Sequence, residues 1–294
     1  MKVFISGASG LVGGNCLKHF SEKGWAVKGS HRTFPTEHTV FFDTLDLASE
    51  KNFDLEDFKP DVIVHCGALT HVDYCENNPD ESFEKTVAAT KNLLEIAARC
   101  GSKFVFLSTD YVFDGKDGPY QETAEVTPLS VYGKHKLAAE QLVQQLAPEH
   151  LILRVTNIYG TEIRMKNFIA RIISQCEEGK TLELKLPFDQ FANPTNAFDI
   201  ARAMALLLEH QKSGIYHIGS TDYMNRVSLA LRVLKYFPGA KYNLHPVSTE
   251  SLAQPALRPL YGGFITAKFL SEFPDFLFST VDEYMQHHTG VSAG

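Results

Sequence analysis

The N-terminal segment carries the feature that most limits the fold. Residues 2–6 form an apolar run that predicts a buried strand, and Gly7, Gly10 and Gly13 follow it at three-residue spacing. An amphipathic helix pattern then continues to about Lys23. This order of strand, glycine-rich turn and helix is typical of a dinucleotide-binding loop. Glycines let the backbone approach a pyrophosphate, and the start of the helix offers free N–H groups and a positive dipole.

Strand-like and helix-like segments alternate through the next part of the chain. Several of the strands are continuously apolar rather than alternating, which is typical of a parallel sheet that helices cover on both faces. The sequence therefore predicts an α/β fold, a doubly wound parallel sheet of Rossmann type. The further strands are expected at residues 25–29, 40–42, 61–66, 103–107 and 151–155, and a long helix at about 80–100.

The alternation loosens after about residue 160, and Pro238, Pro246, Pro255 and Pro259 gather towards the C-terminus. We therefore expect two parts. Residues 1–160 would form the dinucleotide-binding Rossmann domain, with elements of about residues 190–220 returning to it. Residues 161–294 would form a smaller, less regular substrate lobe.

Charge and cysteine content exclude several classes of function. The chain of 294 residues has 28 Lys and Arg against 35 Asp and Glu, a formal charge of −7 that disfavours binding to nucleic acid or an anionic membrane. No apolar run reaches the length of a membrane span. The five cysteines have no CxxC spacing. We therefore expect a cytoplasmic protein with free thiols and without a metal site.

Three residues suggest carbonyl chemistry. Thr109 follows the strand expected at 103–107, and Tyr132 and Lys136 are four residues apart on a predicted helix, so that both face one side. A phenol that exchanges protons near neutral pH needs a pKa below its usual value of about 10, and a nearby cation lowers it. We predict that Tyr132 protonates a carbonyl oxygen as a nicotinamide delivers hydride. Lys136 would tune Tyr132 and hold the ribose, and Thr109 would orient the carbonyl.

The end of the second strand bears on the choice of cofactor. It carries Ser30 and Arg32 but no acidic residue. An acid would bind a ribose 2′-hydroxyl, whereas an arginine suits a 2′-phosphate. We therefore expect NADP(H), with NAD(H) as the alternative. The other expected cofactor residues are Gly7, Ser9, Gly10, Leu11, Val12 and Gly13 in the glycine loop, and Asp43, Thr44 and Leu45 after the third strand, near the adenine.

Longer blocks of sequence resemble one family. Residues 108–115 read Ser-Thr-Asp-Tyr-Val-Phe-Asp-Gly, residues 119–122 read Pro-Tyr-Gln-Glu, and residues 131–134 read Val-Tyr-Gly-Lys. With further blocks along nearly the whole chain, they resemble dTDP-4-dehydrorhamnose reductases. These are extended short-chain dehydrogenase/reductases that reduce a 4-keto nucleotide sugar with NADPH or NADH.

The resemblance implies that Thr109, Tyr132 and Lys136 form a catalytic triad and that the lobe after residue 160 binds a nucleotide sugar. Asn167 and Phe168 open a helix whose N-terminus could face a diphosphate, and Arg258 could bind phosphate in bidentate fashion. The resemblance also places Cys66, Gly67 and Ala68 at the cofactor. The expected substrate-binding residues are Thr70, Val72, Asp110, Tyr111, Val112, Asn157, Asn167, Phe168 and Arg258.

The chain departs from the family pattern at several positions. His65 stands where Asn is usual, Thr86 where a helix Asn is common, and Asn157 where Trp is frequent. Three functions therefore stay open. The first is an NADP(H)-dependent reductase of a 4-keto-6-deoxy nucleotide sugar. The second is a non-catalytic NADP-binding regulator, since the β chain of methionine adenosyltransferase resembles these reductases. The third is an epimerase or reductase of another nucleotide sugar. A homodimer is also left open.

Overall fold

A parallel sheet of seven strands forms the centre of the protein in a computed structural model, which describes residues 1–290. Numbered in chain order, its strands are β1 (Lys2–Ser6), β2 (Ala26–His31), β3 (Thr39–Phe41), β4 (Val62–His65), β5 (Lys103–Thr109), β6 (His150–Val155) and β11 (Gly214–Ile218). Their spatial order is β11-β6-β5-β4-β1-β2-β3, and every neighbouring pair is parallel. The doubly wound α/β fold expected from the sequence is confirmed.

Helices cover both faces of this sheet. The first face packs against α1 (Leu11–Glu22), α8 (Ala197–Glu209) and α10 (Ala267–Glu272). The second packs against α2 (Leu55–Phe58), α5 (Ala89–Cys100) and α6 (Val131–Leu146). Both faces are buried, which explains why β1, β4 and β5 read as continuous apolar runs.

The long helix predicted at residues 80–100 is interrupted. After α3 (Val72–Asn77), the chain forms α4 (Pro79–Phe83), then a π-helical turn (Glu84–Ala88), and only then α5. Thr86 lies within the π-helical turn and is fully buried against the rest of the fold. Turns of this kind are frequent at functional sites, because they redirect side chains without ending the helix.

A second, smaller core lies beyond the sheet. It is built from α7 (Phe168–Glu177), α9 (Arg226–Leu234) and α11 (Val281–Thr289) with the parallel pair β8 (Leu182–Pro187) and β13 (Tyr242–Val247). Two short pairs join the regions: β7 (Ile158–Tyr159) with β10 (Thr195–Asn196), and β9 (Phe191–Ala192) with β12 (Met224–Asn225). Among residues 1–290, no helix is both long and apolar enough to cross a membrane.

A buried ion pair ties helix α6 to the sheet. Arg154 on β6 donates from Nε and Nη2 to the two carboxylate oxygens of Glu140, at 2.9 and 2.7 Å. The two side chains are only 3 % and 1 % exposed. Burial and the charge of Arg154 lower the pKa of the adjacent His217 to about 3. The pair therefore has a neutral neighbour at physiological pH and fixes the position of the helix that carries Tyr132.

Replacing Glu140 tests this attachment. Glu140→Gln would leave the Arg154 cation buried without a carboxylate, so we expect a loss of about 3 to 5 kcal/mol in the free energy of unfolding. The matched control is Glu56→Gln, which breaks the exposed Arg99–Glu56 pair and should cost at most about 1 kcal/mol. Urea unfolding followed by circular dichroism would measure both. Equal losses would contradict a special contribution of the buried pair.

Candidate active site

A cavity of about 830 Å³ opens where the carboxyl ends of β1, β2, β4, β5 and β6 meet, which is the usual ligand position in sheets of this kind. Its other wall comes from the smaller core and includes Gln190, Phe191 and Arg226. Most of the expected site residues line it: Gly7, Ser9, Gly10, Leu11, Val12, Gly13, Ser30, Arg32, Thr44, Leu45, Cys66, Gly67, Ala68, Thr70, Val72, Thr109, Asp110, Tyr111, Tyr132, Lys136, Asn157 and Asn167.

The glycine loop requires its glycines for two reasons. Gly7 has φ +79°, and a Cβ on it would come within 2.8 Å of the Gly67 nitrogen on the adjacent loop. A Cβ on Gly13 would lie 2.5 Å from the Gly7 carbonyl oxygen. The loop is thus pressed against both the helix α1 and the end of β4, leaving a cradle of bare backbone. This cradle fits the pyrophosphate of a dinucleotide.

Four expected residues lie outside the cavity wall. Val112 is fully buried in an apolar cluster with Phe113 and Phe264. Asp43 turns its carboxylate to the Arg32 Nε at 2.9 Å instead of towards the cavity. These side chains support wall residues and do not face the space itself.

Phe168 and Arg258 are the other two. Phe168 packs against the smaller core, beneath the guanidinium of Arg226. Arg258 donates from Nη2 to Asp73 Oδ2 at 2.8 Å, and its side chain is only 9 % exposed. Its charge is therefore already compensated by a carboxylate from the first turn of helix α3.

Local hydrogen bonds fix the catalytic candidates. The Thr109 hydroxyl accepts from the Tyr111 N–H at 3.2 Å as β5 ends in a short 3-10 turn. Ser130 caps helix α6 by accepting from the Gly133 N–H at 3.2 Å. Because of this cap the helix begins at Val131, the residue before Tyr132, which determines the direction in which the phenol points.

Tyr132 lies beside Thr109 in a largely buried environment. Its ring meets that of Tyr111 edge-on, with centroids 5.6 Å apart. Burial raises the pKa of Tyr132 well above its ordinary value, and the neighbouring hydroxyl of Thr109 acts in the opposite direction. The phenol is therefore protonated at neutral pH, as a proton donor must be. The sequence predicts a lowered pKa for Tyr132, whereas the residues of the protein raise it.

Lys136 is bound to the central sheet. Its Nζ donates to the Leu107 carbonyl on β5 at 2.5 Å and lies 4.2 Å from the centroid of the Phe106 ring. Burial lowers the pKa of Lys136 to about 8. Thr109, Tyr132 and Lys136 thus line one cavity. The hydrogen bond of Lys136, however, is made to the backbone of β5 and not to Tyr132.

Sequence reasoning did not place His65 among the site residues, although it marked the position as unusual. Its buried ring lines the cavity next to Phe106, 5.9 Å between centroids. Burial and the charge of Lys136 lower the pKa of His65 to about 3, so the ring is neutral. Within residues 1–290, neither ring nitrogen has a hydrogen-bond partner, nor have the hydroxyls of Thr86 and Ser108. Native proteins rarely leave such atoms unpaired.

Asn157 and the segment after it form the edge of the cavity. Asn157 has φ +43°, a conformation that Asn tolerates better than bulkier residues. Glu162, Arg164 and Lys166 follow it in the cavity wall, and the Arg164 guanidinium lies 5.2 Å from the centroid of the Phe34 ring on the opposite side. No local motif marks this segment, so the sequence offered no signal for it.

The lowered pKa of Lys136 predicts how the free energy of unfolding changes with pH. The folded value of about 8 lies below the usual 10.5, so the protonated lysine penalises the fold below pH 8, and this penalty disappears as pH rises to 10.5. Relative to Lys136→Met, the wild type should gain about 3 kcal/mol of unfolding free energy across that window. Urea unfolding at several pH values would measure it.

Lys134→Met provides the control for that experiment, because Lys134 is exposed on the same helix. Its unfolding free energy should follow the wild type at every pH. If the unfolding free energies of Lys136→Met and the wild type change with pH in parallel, burial does not lower the pKa of Lys136.

The fold and this site together define an extended short-chain dehydrogenase/reductase. A family model described as RmlD substrate binding domain matches residues 1–278, and the chain belongs to that family. Among solved structures, the dTDP-4-dehydrorhamnose reductase of Bacillus anthracis in complex with NADP is 25 % identical, with a TM-score of 0.84 and coverage of 97 % of each chain. That of Clostridium acetobutylicum is 29 % identical, with a TM-score of 0.81 and coverage of 99 % of this chain and 98 % of the other.

Curated relatives include proteins with different names. Methionine adenosyltransferase 2 subunit beta of Xenopus laevis is 31 % identical over 254 residues, 85 % of this chain and 76 % of the relative. The "Probable low-salt glycan biosynthesis reductase" of Haloferax volcanii is 29 % identical over 265 residues, 88 % of each chain. The family is thus established, and the relatives of this chain carry names of different functions.

Proposed function

We propose that the chain is an NADP(H)-dependent reductase of a 4-keto-6-deoxy nucleotide sugar. The observation that carries the proposal is the convergence of Thr109, Tyr132 and Lys136 with the glycine cradle on one cavity. The family membership and the reductase structures support the same class of reaction. In this proposal residues 1–160 hold the cofactor, with α8 and β11 completing their sheet, and residues 161–294 hold the sugar nucleotide.

The roles of the residues follow from their chemistry. The bound nicotinamide supplies hydride to the carbonyl carbon. Tyr132, protonated at neutral pH, gives its proton to the carbonyl oxygen. Thr109 holds that oxygen by a hydrogen bond, at a position fixed by the turn that it caps. Lys136 binds ribose hydroxyls, and its exchangeable proton near pH 8 makes it a suitable source for reprotonating Tyr132.

A substitution of Tyr132 tests the reaction. Tyr132→Phe keeps the ring but removes the proton donor, so turnover of dTDP-4-keto-6-deoxy-L-sugar should fall by at least about a hundredfold. NADPH affinity should stay nearly unchanged. Tyr74→Phe is the matched control, because its hydroxyl binds Glu81 on the surface. Substantial turnover by Tyr132→Phe, or none by the folded, NADPH-binding wild type, would refute the proposal.

The cofactor preference depends on Arg32. This side chain is 44 % exposed and is paired with Asp43, an ion pair that is weak enough for a 2′-phosphate to replace. Arg32→Ala should weaken NADPH by roughly tenfold or more and NADH by much less, since charge-assisted bonds to a phosphate are lost. Fluorescence titration with both cofactors measures this, with Lys28→Ala on the same strand as control. Equal weakening of NADPH and NADH would remove the basis for the NADP(H) preference.

A regulatory function is the second candidate, because the chain is 31 % identical to a methionine adenosyltransferase subunit beta over most of its length. Such a protein would bind NADP without turning over a keto sugar. A stable complex with a methionine adenosyltransferase catalytic subunit, together with no turnover of keto nucleotide sugars, would favour it. Turnover by the pure chain would favour the reductase.

A further inference from the structure

Arg226 is a cation in the cavity wall that forms no ion pair with a carboxylate among residues 1–290. It is the first residue of helix α9 and is only partly exposed. Its guanidinium centre lies 5.1 Å from the centroid of the Phe168 ring. This stacking is a cation–π contact, and in the described part of the chain Arg226 makes no hydrogen bond or ion pair. Arginines in such surroundings are normally paired.

Other arginines show that the protein usually compensates this charge. Arg154 binds Glu140 and Arg258 binds Asp73, both at distances of 2.7 to 2.8 Å. Arg164 and Arg171 lack a carboxylate within residues 1–290 but are exposed to solvent, which screens them. Arg226 is therefore distinguished by being both shielded and unpaired.

The stacking on Phe168 leaves the N–H donors of the Arg226 guanidinium available to a ligand. An aromatic ring attracts the cation as a whole but accepts none of its five N–H donors. The donors lie in the guanidinium plane and suit two oxygens of one phosphate. Burial lowers the pKa of Arg226, while Tyr111 and Asp110 act in the opposite direction. An anionic ligand would remove the cost of burying this charge.

The position of Arg226 relates it to the reacting atoms. Arg226 and Tyr111 line the same cavity, and the Tyr111 ring lies 5.6 Å from that of Tyr132, centroid to centroid. The cation and the proton donor therefore face one space. In a nucleotide sugar whose carbonyl is at C4, the diphosphate is attached across the pyranose ring at C1. A sugar bound at Tyr132 would therefore bring its diphosphate towards this wall.

We propose that Arg226, supported by Phe168, binds the diphosphate of the substrate, a role for which the family resemblance made Arg258 a candidate. The inference rests on the proposed function, because it takes the ligand to be a nucleotide sugar. Arg258 is unsuited to the role, since Asp73 already holds one of its terminal nitrogens and the Ala256 carbonyl holds the other. The sequence contained no signal for this difference, because the partner of Arg258 lies in helix α3, 185 residues away along the chain.

Binding measurements without turnover test this role. Isothermal titration would give the affinity of dTDP and UDP for the wild type, for Arg226→Met and for Arg226→Lys. We expect Arg226→Met to weaken both nucleotides by at least about tenfold, Arg226→Lys to weaken them less, and NADPH affinity to stay unchanged. Arg99→Met, an exposed arginine on helix α5 outside the cavity wall, is the control and should bind like the wild type.

Thermal unfolding of the ligand-free variants separates binding from a structural role. If Arg226 serves binding, Arg226→Met should melt at the wild-type temperature or higher, because an unpaired charge is removed. A lower melting temperature with unchanged nucleotide affinity would show a structural role and overturn the inference. Unchanged affinity in a stable variant, or no binding of dTDP or UDP by the wild type, would also overturn it.

The outcomes distinguish this inference from the proposed function. If nucleotides bind through Arg226 but no keto sugar is turned over, the diphosphate site stands and the reductase proposal fails. If the wild type turns over the sugar and Arg226→Met keeps its KM, the reductase stands and the assignment of Arg226 is wrong.

Discussion

Two buried cations hold helix α6 against the central sheet, and the candidate site depends on this attachment. Lys136 donates to the Leu107 carbonyl on β5, and Arg154 on β6 binds Glu140 one turn further along the helix. Tyr132 lies one turn before Lys136, so these contacts place its phenol beside Thr109. Surface pairs would contribute little to such positioning. A buried charge that loses its partner costs several kcal/mol in stability. Any other position of the helix would incur this cost, so the helix has one well-defined position.

The same end of the sheet contains polar groups that the protein leaves unsatisfied. His65 is the last residue of β4 and Ser108 the next-to-last of the neighbouring β5, and their side-chain polar atoms have no partner among residues 1–290. Across the cavity, Arg226 forms no ion pair within the described residues. A core built for stability alone would pair or omit such groups. Their concentration around one cavity is expected of a site for a polar, charged ligand. The unpaired groups lower the stability of the fold, and a ligand that pairs with them would restore it.

The departures from the family pattern meet at this place as well. His65 and Asn157 line the cavity, and Thr86 lies buried in the π-helical turn behind it. A neutral histidine beside Lys136 changes hydrogen-bonding capacity without adding charge. The changes therefore alter the immediate surroundings of the carbonyl site and leave the glycine cradle intact. The proposed cofactor site and proton donor therefore follow the family pattern more closely than the proposed sugar site does.

The sequence by itself determined the layered α/β fold, the glycine cradle and the approach of Tyr132 to Thr109, because these follow from local spacing and from strands whose carboxyl ends share one edge. Only the tertiary structure decided which charged groups remain available to a ligand. Arg258 and Arg226 look alike as isolated arginines in the sequence, yet Asp73, 185 residues away, holds the first, and Phe168 merely supports the second. Pairing over such distances leaves no periodic trace in the chain, since it arises only when the two cores come together.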